Sequence, residues 1–326
     1  MTILITGGAG FVGLALAERL TADGRHVVLF DRAPPPADIL ARPELAGIAC
    51  IDGDIRSSGD IDRALDAGPI ETIIHAAAVT PNEQRERIDP RGIVDVNIGG
   101  TVNLMERAAT RKGLKRVVML SSVAVYGFSQ PAASGQFEED LSHPAPAALY
   151  GITKVAAEQA ALRIGHLHAL DVRIARLGPV YGRWELQTGV RDALSPHYQV
   201  LRAALRGDDV VLPRDMRADW IYSRDAAAGI ARICQAQKLG HAIYHVSGGT
   251  MSDLPGWCRL LTSRFASFRW RLANAGEPAT IVYNLPADRA PLSIARLSQD
   301  TGFRPAYAPE QAAADYLSWL APEDKQ

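Results

Sequence analysis

Tyr150 and Lys154 stand four residues apart in Tyr150-Gly151-Ile152-Thr153-Lys154, at the start of a segment patterned as an alanine-rich helix. On a helix that spacing puts both side chains on one face, with Cβ atoms about 5–6 Å apart. An ammonium beside a phenol favours the phenolate and draws its pKa down from about 10. Such a tyrosine can take an alcohol proton as hydride leaves the carbon, or return it in the reverse direction. The spacing alone is common on helices and decides little. A second group strengthens it: the apolar run Val117-Val118-Met119-Leu120 leads into Ser121-Ser122-Val123-Ala124-Val125-Tyr126-Gly127. The carboxyl end of a strand in an open parallel sheet is where ligands bind. A serine hydroxyl there can hold a substrate oxygen in line with the phenol.

A hydride needs an acceptor, and the N-terminal residues are suited to one. Gly7-Gly8-Ala9-Gly10-Phe11-Val12-Gly13 follows a strand-like run and opens a helical one. Glycines at 7, 10 and 13 allow a tight turn, close approach of backbone to a pyrophosphate, and packing of helix on strand. Phe11 and Val12 begin the helix whose free N–H groups would face the phosphates. Asp31 closes the next strand, where a carboxylate can accept both ribose hydroxyls of NAD and repel a 2′-phosphate. Arg32 beside it can hold a phosphate, which leaves NADP open. Asp54-Ile55 follows the third strand and either reaches the adenine or caps a helix. His75-Ala76-Ala77-Ala78 ends the fourth strand with small residues that leave room beside a cofactor, His75 itself being packed.

These residues must be positioned by alternating strands and helices. Strands are expected at Ile3–Thr6, His26–Phe30, Ile48–Asp52, Thr72–His75, Arg116–Ser121, Asp171–Leu177 and Ala242–Ser247. Helices are expected at Phe11–Ala22, Ser58–Ala67, Arg91–Lys112, Tyr150–His168, Tyr198–Arg206 and Arg224–Gln237. That alternation predicts an α/β fold, a Rossmann-type doubly wound parallel sheet with a smaller C-terminal substrate lobe. Residues 1–177 and 219–247 would form the NAD-binding domain, and 178–218 and 248–326 the substrate lobe. The 326 residues carry 35 Lys and Arg against 36 Asp and Glu, a formal net charge of −1. Nothing in that balance favours nucleic acid or an anionic membrane as partner. Three scattered cysteines make neither a disulfide framework nor a zinc site, and no metal is expected. The chain enters its first strand directly and holds no long apolar run, so a cytoplasmic enzyme without signal peptide or membrane span is expected.

Taken together, G-G-A-G-F-V-G, S-S-x-x-V-Y-G and Y-G-x-T-K resemble the extended short-chain dehydrogenases/reductases of the NAD-dependent epimerase/dehydratase type. Asn97-Ile98-Gly99-Gly100-Thr101-Val102-Asn103-Leu104 resembles that family's N-x-x-G-T-x-N-L helix, and Asp219–Asp225 its R-D-F-x-x-V-D-D segment. The resemblance implies that Tyr150 is the general acid/base, Lys154 its partner and Ser122 the ligand of the substrate oxygen. It also places Asn97 near the cofactor, together with Val180 in Arg176-Leu177-Gly178-Pro179-Val180-Tyr181-Gly182. It implies a homodimer joined through the Arg91–Lys112 and Tyr150–His168 helices, with Ala156, Ala157, Ala160 and Ala161 as a small-residue surface.

Departures from the family pattern narrow the chemistry. Val123 and Ala124 stand where sugar-nucleotide dehydratases carry an acid and a base, and Ala124 stands where decarboxylases of nucleotide-linked glucuronate carry glutamate. Both reactions are therefore excluded. Pro179 replaces an asparagine, and Ala218 an arginine, that grip the diphosphate of a nucleotide sugar. Hydrogen bonds to ions contribute about 1.5–3 kcal/mol each, so the loss points away from a nucleotide-diphosphate sugar. Arg183, Trp184, Arg191 and Arg217 are the substrate candidates: an arginine for a carboxylate, Trp184 for an apolar face. Two activities remain: an NAD-dependent dehydrogenase or reductase of a small sugar-like molecule or hydroxy acid, or a sugar epimerase that retains its cofactor.

Overall fold

Seven apolar runs, most of them too short for a helix and buried on both faces, assemble as a parallel sheet. The computed structural model describes residues 1–187, 192, 194–283 and 287–320. The strands of this sheet are β1 (Thr2–Thr6), β2 (His26–Asp31), β3 (Ala49–Asp52), β4 (Ile70–His75), β5 (Arg116–Ser122), β6 (Asp171–Leu177) and β7 (Ile243–Val246). They lie in the order β7-β6-β5-β4-β1-β2-β3, every neighbour parallel. The order reverses between β1 and β4, and a crevice opens beyond the strand ends at that switch point. This is a doubly wound α/β fold of the Rossmann type.

Helices cover both faces. On one side α1 (Phe11–Ala22) packs with α6 (Ser223–Gln235) over Ile3, Ile5, Val118 and Leu120. On the other, α2 (Ser58–Leu65), α3 (Gly100–Ala109) and α4 (Leu149–Leu167) cover Leu4, Val28, Ile73, Val117 and Ile174. A separate core joins α5 (Pro196–Arg206), α7 (Leu254–Arg264) and α8 (Pro309–Trp319) around Trp257, Leu261 and Tyr316. No helix among the described residues is long and apolar enough to cross a membrane.

The helix expected over Arg91–Lys112 is interrupted. Helical turns at Pro90–Val94 and α3 are joined by a π-helical turn, Asp95–Gly99. Such turns are frequent at functional sites, and Asn97 lies within this one.

Candidate active site

A cleft of about 290 Å³ runs over the carboxyl ends of the strands. Its wall begins at the loop after β1. Gly7 has φ +69°, and a Cβ there would lie 2.6 Å from the Ala77 backbone nitrogen. Only glycine allows the loops after β1 and β4 to meet so closely. Gly10 begins α1 with no side chain capping the first turn. Gly10, Phe11, Val12 and Gly13 all line the cleft, so the open, positive end of the helix dipole faces it.

Asp31 lies at the next corner. One carboxylate oxygen accepts the Ala9 N–H at 3.0 Å and the other the Arg32 N–H at 2.8 Å. Burial pushes this carboxyl above its ordinary range, and the two backbone N–H groups oppose the shift. Arg32, Asp54, Ile55, Ala76, Ala77 and Val180 line the same cleft. The Asp54 carboxylate is held by Arg56, which keeps it below its ordinary pKa. Asp54 is not the helix cap: Ser57 caps α2, its hydroxyl accepting the Asp60 N–H.

At the other end of the cleft stand Ser122, Tyr150 and Lys154. A Cβ on Gly151 would lie 2.4 Å from the Ala124 carbonyl oxygen, so the glycine after Tyr150 lets α4 close onto the turn that follows β5. Lys154 is 5% exposed. Its Nζ donates to the Leu120 carbonyl at 2.8 Å and lies 5.9 Å from the centre of the Tyr150 ring. Burial brings its pKa down to about 8, against a smaller upward pull from Glu158. The Ser122 hydroxyl accepts the Ala124 N–H at 3.1 Å, which fixes its rotamer at the strand end.

Asn97 does not line the cleft. It is buried, and its side chain accepts the Val79 N–H, donates to the Val79 carbonyl and donates to Thr153. Asn97 thus lies just behind the cleft wall, where it ties the cleft-lining Val79 to the helix of Tyr150. The expectation of substrate ligands at Arg183 and Trp184 is corrected. Trp184 is fully buried, donates to Glu18 in α1 and packs edge-on against Trp319. Arg183 pairs with Glu18 and Asp315. Trp184 has no surface left for a substrate, and the terminal nitrogens of Arg183 are taken up by these two carboxylates. Arg217 is exposed on a two-residue strand outside the cleft wall. Arg191 lies outside the described residues. His75 is packed between Thr6 and Thr101, and burial lowers its pKa to about 3.

Some cleft residues were not singled out from sequence: Phe30, Gly53, Thr80, Val96 and Leu177 line it. Pro179 and Ser121, neither of them expected as a ligand, line it as well. Behind the cleft, Arg176 forms a two-bond ion pair with Glu158 of α4 and donates to the Tyr126 hydroxyl, which also bonds His245.

The model of the NAD dependent epimerase/dehydratase family matches residues 3–247. The chain belongs to that family. It is accordingly an NAD-dependent enzyme of the extended short-chain dehydrogenase/reductase type, and the residues present fit the cofactor: an uncapped helix N-terminus on glycines, then a carboxylate at the end of β2. Among full-length relatives, a probable UDP-glucuronate 4-epimerase of Rhizobium meliloti is 26% identical, with 98% of this chain and 96% of that protein covered. The dTDP-L-rhamnose 4-epimerase of Burkholderia thailandensis is 22% identical over 98% and 95%. The structure of UDP-glucuronic acid 4-epimerase from Bacillus cereus, solved with UDP-glucuronic acid and NAD, superimposes with a TM-score of 0.80. It is 22% identical and covers 98% of this chain and all of its own. At that identity it shows a shared fold.

Proposed function

We propose that the chain moves a hydride from and back to a carbinol carbon of a sugar substrate, as an epimerase that retains its NAD. The observation that carries this reading is Lys154, buried and anchored on Leu120 beside Tyr150, at the strand end that presents Ser122. The Ser122 hydroxyl holds the reacting oxygen. Tyr150 takes its proton and returns it, and the Lys154 ammonium favours the phenolate between the two events. Bound NAD supplies the hydride acceptor. Val123 and Ala124 offer no second acid or base, so the chemistry stops at oxidation and reduction. The epimerase mode is supported by full-length relatives named as sugar-nucleotide 4-epimerases. In this reading residues 1–177 and 219–247 hold the cofactor, 178–218 and 248–326 face the substrate, and the chain works in the cytoplasm as a homodimer.

A second reading, a net dehydrogenase of a sugar acid, lactone, polyol or hydroxy acid, is favoured by Pro179. This residue forms cleft wall and has no side-chain donor for a diphosphate. Purified protein separates the two. NAD that survives gel filtration, with interconversion of UDP-sugar 4-epimers and no net NADH, supports the epimerase. Exchangeable NAD with NADH formed from a sugar acid supports the dehydrogenase, and binding of neither NAD nor NADP overturns both. In either case Y150F is expected to lower turnover by about 10²- to 10⁴-fold with a far smaller change in the NAD dissociation constant, Tyr150 being also one of the residues expected to bind the cofactor.

A further inference from the structure

Ser121 precedes the serine assigned to the substrate and has so far been given no task. It forms part of the cleft wall, yet it is 3% exposed. Its hydroxyl is buried and has no hydrogen-bond partner among the described residues. The groups on either side of it in the chain are engaged: the Leu120 carbonyl holds Lys154, and the Ser122 hydroxyl holds the Ala124 N–H. A buried hydroxyl without a partner is costly, and proteins seldom leave one at the end of a central strand. An alanine there would fill the same place at no such cost.

Resting on the reading of the cleft as an NAD site, we infer that Ser121 is a ligand of the nicotinamide-riboside half of the cofactor. The location supports that half over the other. Adenosine has its carboxylate at Asp31, beyond β1, whereas Ser121 ends β5 next to the anchor of Lys154. Both the ribose hydroxyls and the carboxamide of that half can give and accept hydrogen bonds, which suits a lone hydroxyl.

Titration calorimetry of S121A and the parent protein, each freed of nucleotide, with NAD and with ADP tests this. ADP fills only the adenosine-diphosphate end and so reports on an intact fold and cleft. S121A is expected to weaken NAD about 5- to 10-fold, the range of one neutral hydrogen bond, and to leave ADP binding unchanged. The nucleotide-free variant is expected to melt no lower than the parent, because it loses no internal hydrogen bond. Equal NAD affinity in variant and parent overturns the inference, as does an equal loss for NAD and ADP or a lowered melting temperature without ligand. A parent protein that binds no NAD overturns the reading of the cleft itself, which is a distinguishable failure.

Discussion

Lys154 is kept at a cost to stability. Its folded pKa of about 8 lies below the roughly 10.4 of an exposed lysine. Between those values the unfolded chain binds more protons than the folded one, so this group makes stability rise with pH across that window. Below about pH 8 the buried ammonium carries its full penalty, on the order of 3 kcal/mol for a shift of this size. K154M is therefore expected to be more stable than the parent at pH 7, with the difference shrinking toward pH 10 and turnover lost throughout. Urea titrations at several pH values measure it, and a stability difference that stays constant from pH 7 to 10 rules the account out. The closeness of this residue to Tyr150 was legible in sequence because four-residue spacing on a helix fixes which side chains meet. The misreading of Arg183 and Trp184 has an equally physical cause. A tryptophan and arginines in a loop after a strand look the same whether they grip a substrate or a helix. Here the partner that decides is Glu18, 165 residues before Arg183.

At the scale of elements, the strand and helix rhythm was read to within a residue or two at most ends, since buried parallel strands and capped helices leave strong local patterns. The π-helical turn at Asp95–Gly99 left no such pattern, because apolar spacing on either side of it is that of one continuous helix. What sets it is long-range: Asn97 must reach both Val79 and Thr153. The same holds for the pair that seats α4 on the sheet. Arg176 and Glu158 are 2% and 0% exposed and joined by two hydrogen bonds, the shorter 2.7 Å. Glu158 lies one turn from Lys154, so this pair ties to the sheet the helix that carries Tyr150 and Lys154. Removing one partner strands the other as a buried charge. E158A is expected to cost about 3–5 kcal/mol in chemical denaturation, whereas the apolar double variant E158L/R176M recovers most of it. A double variant as unstable as E158A would show that the pair does more than cancel its own charges.

The whole molecule poses the question of assembly. Ala157 and Ala161, expected on a small-residue surface, face the sheet and are fully buried in its core. Only Ala156 and Ala160 remain on the outer side of α4, in line with Ile152, which is 48% exposed. These residues recur every fourth position, so they form one stripe along the helix. Exposed Ile88 and half-exposed Val94 lie in the segment leading to α3, which packs beside α4. A stripe with two alanines lets a second copy of the helix approach closely, and a two-fold axis would bury both stripes at once. Sedimentation at micromolar concentration is expected to give twice the 35.1 kDa mass of the chain. A160E puts two like charges across that axis and is expected to yield a monomer. Because Ala160 lies more than two turns beyond Tyr150, the variant should keep the NAD affinity of the parent. A parent that sediments as a monomer removes the dimer. An A160E protein that still sediments as a dimer removes this face from the interface, since no close helix pair could bury two carboxylates there without partners.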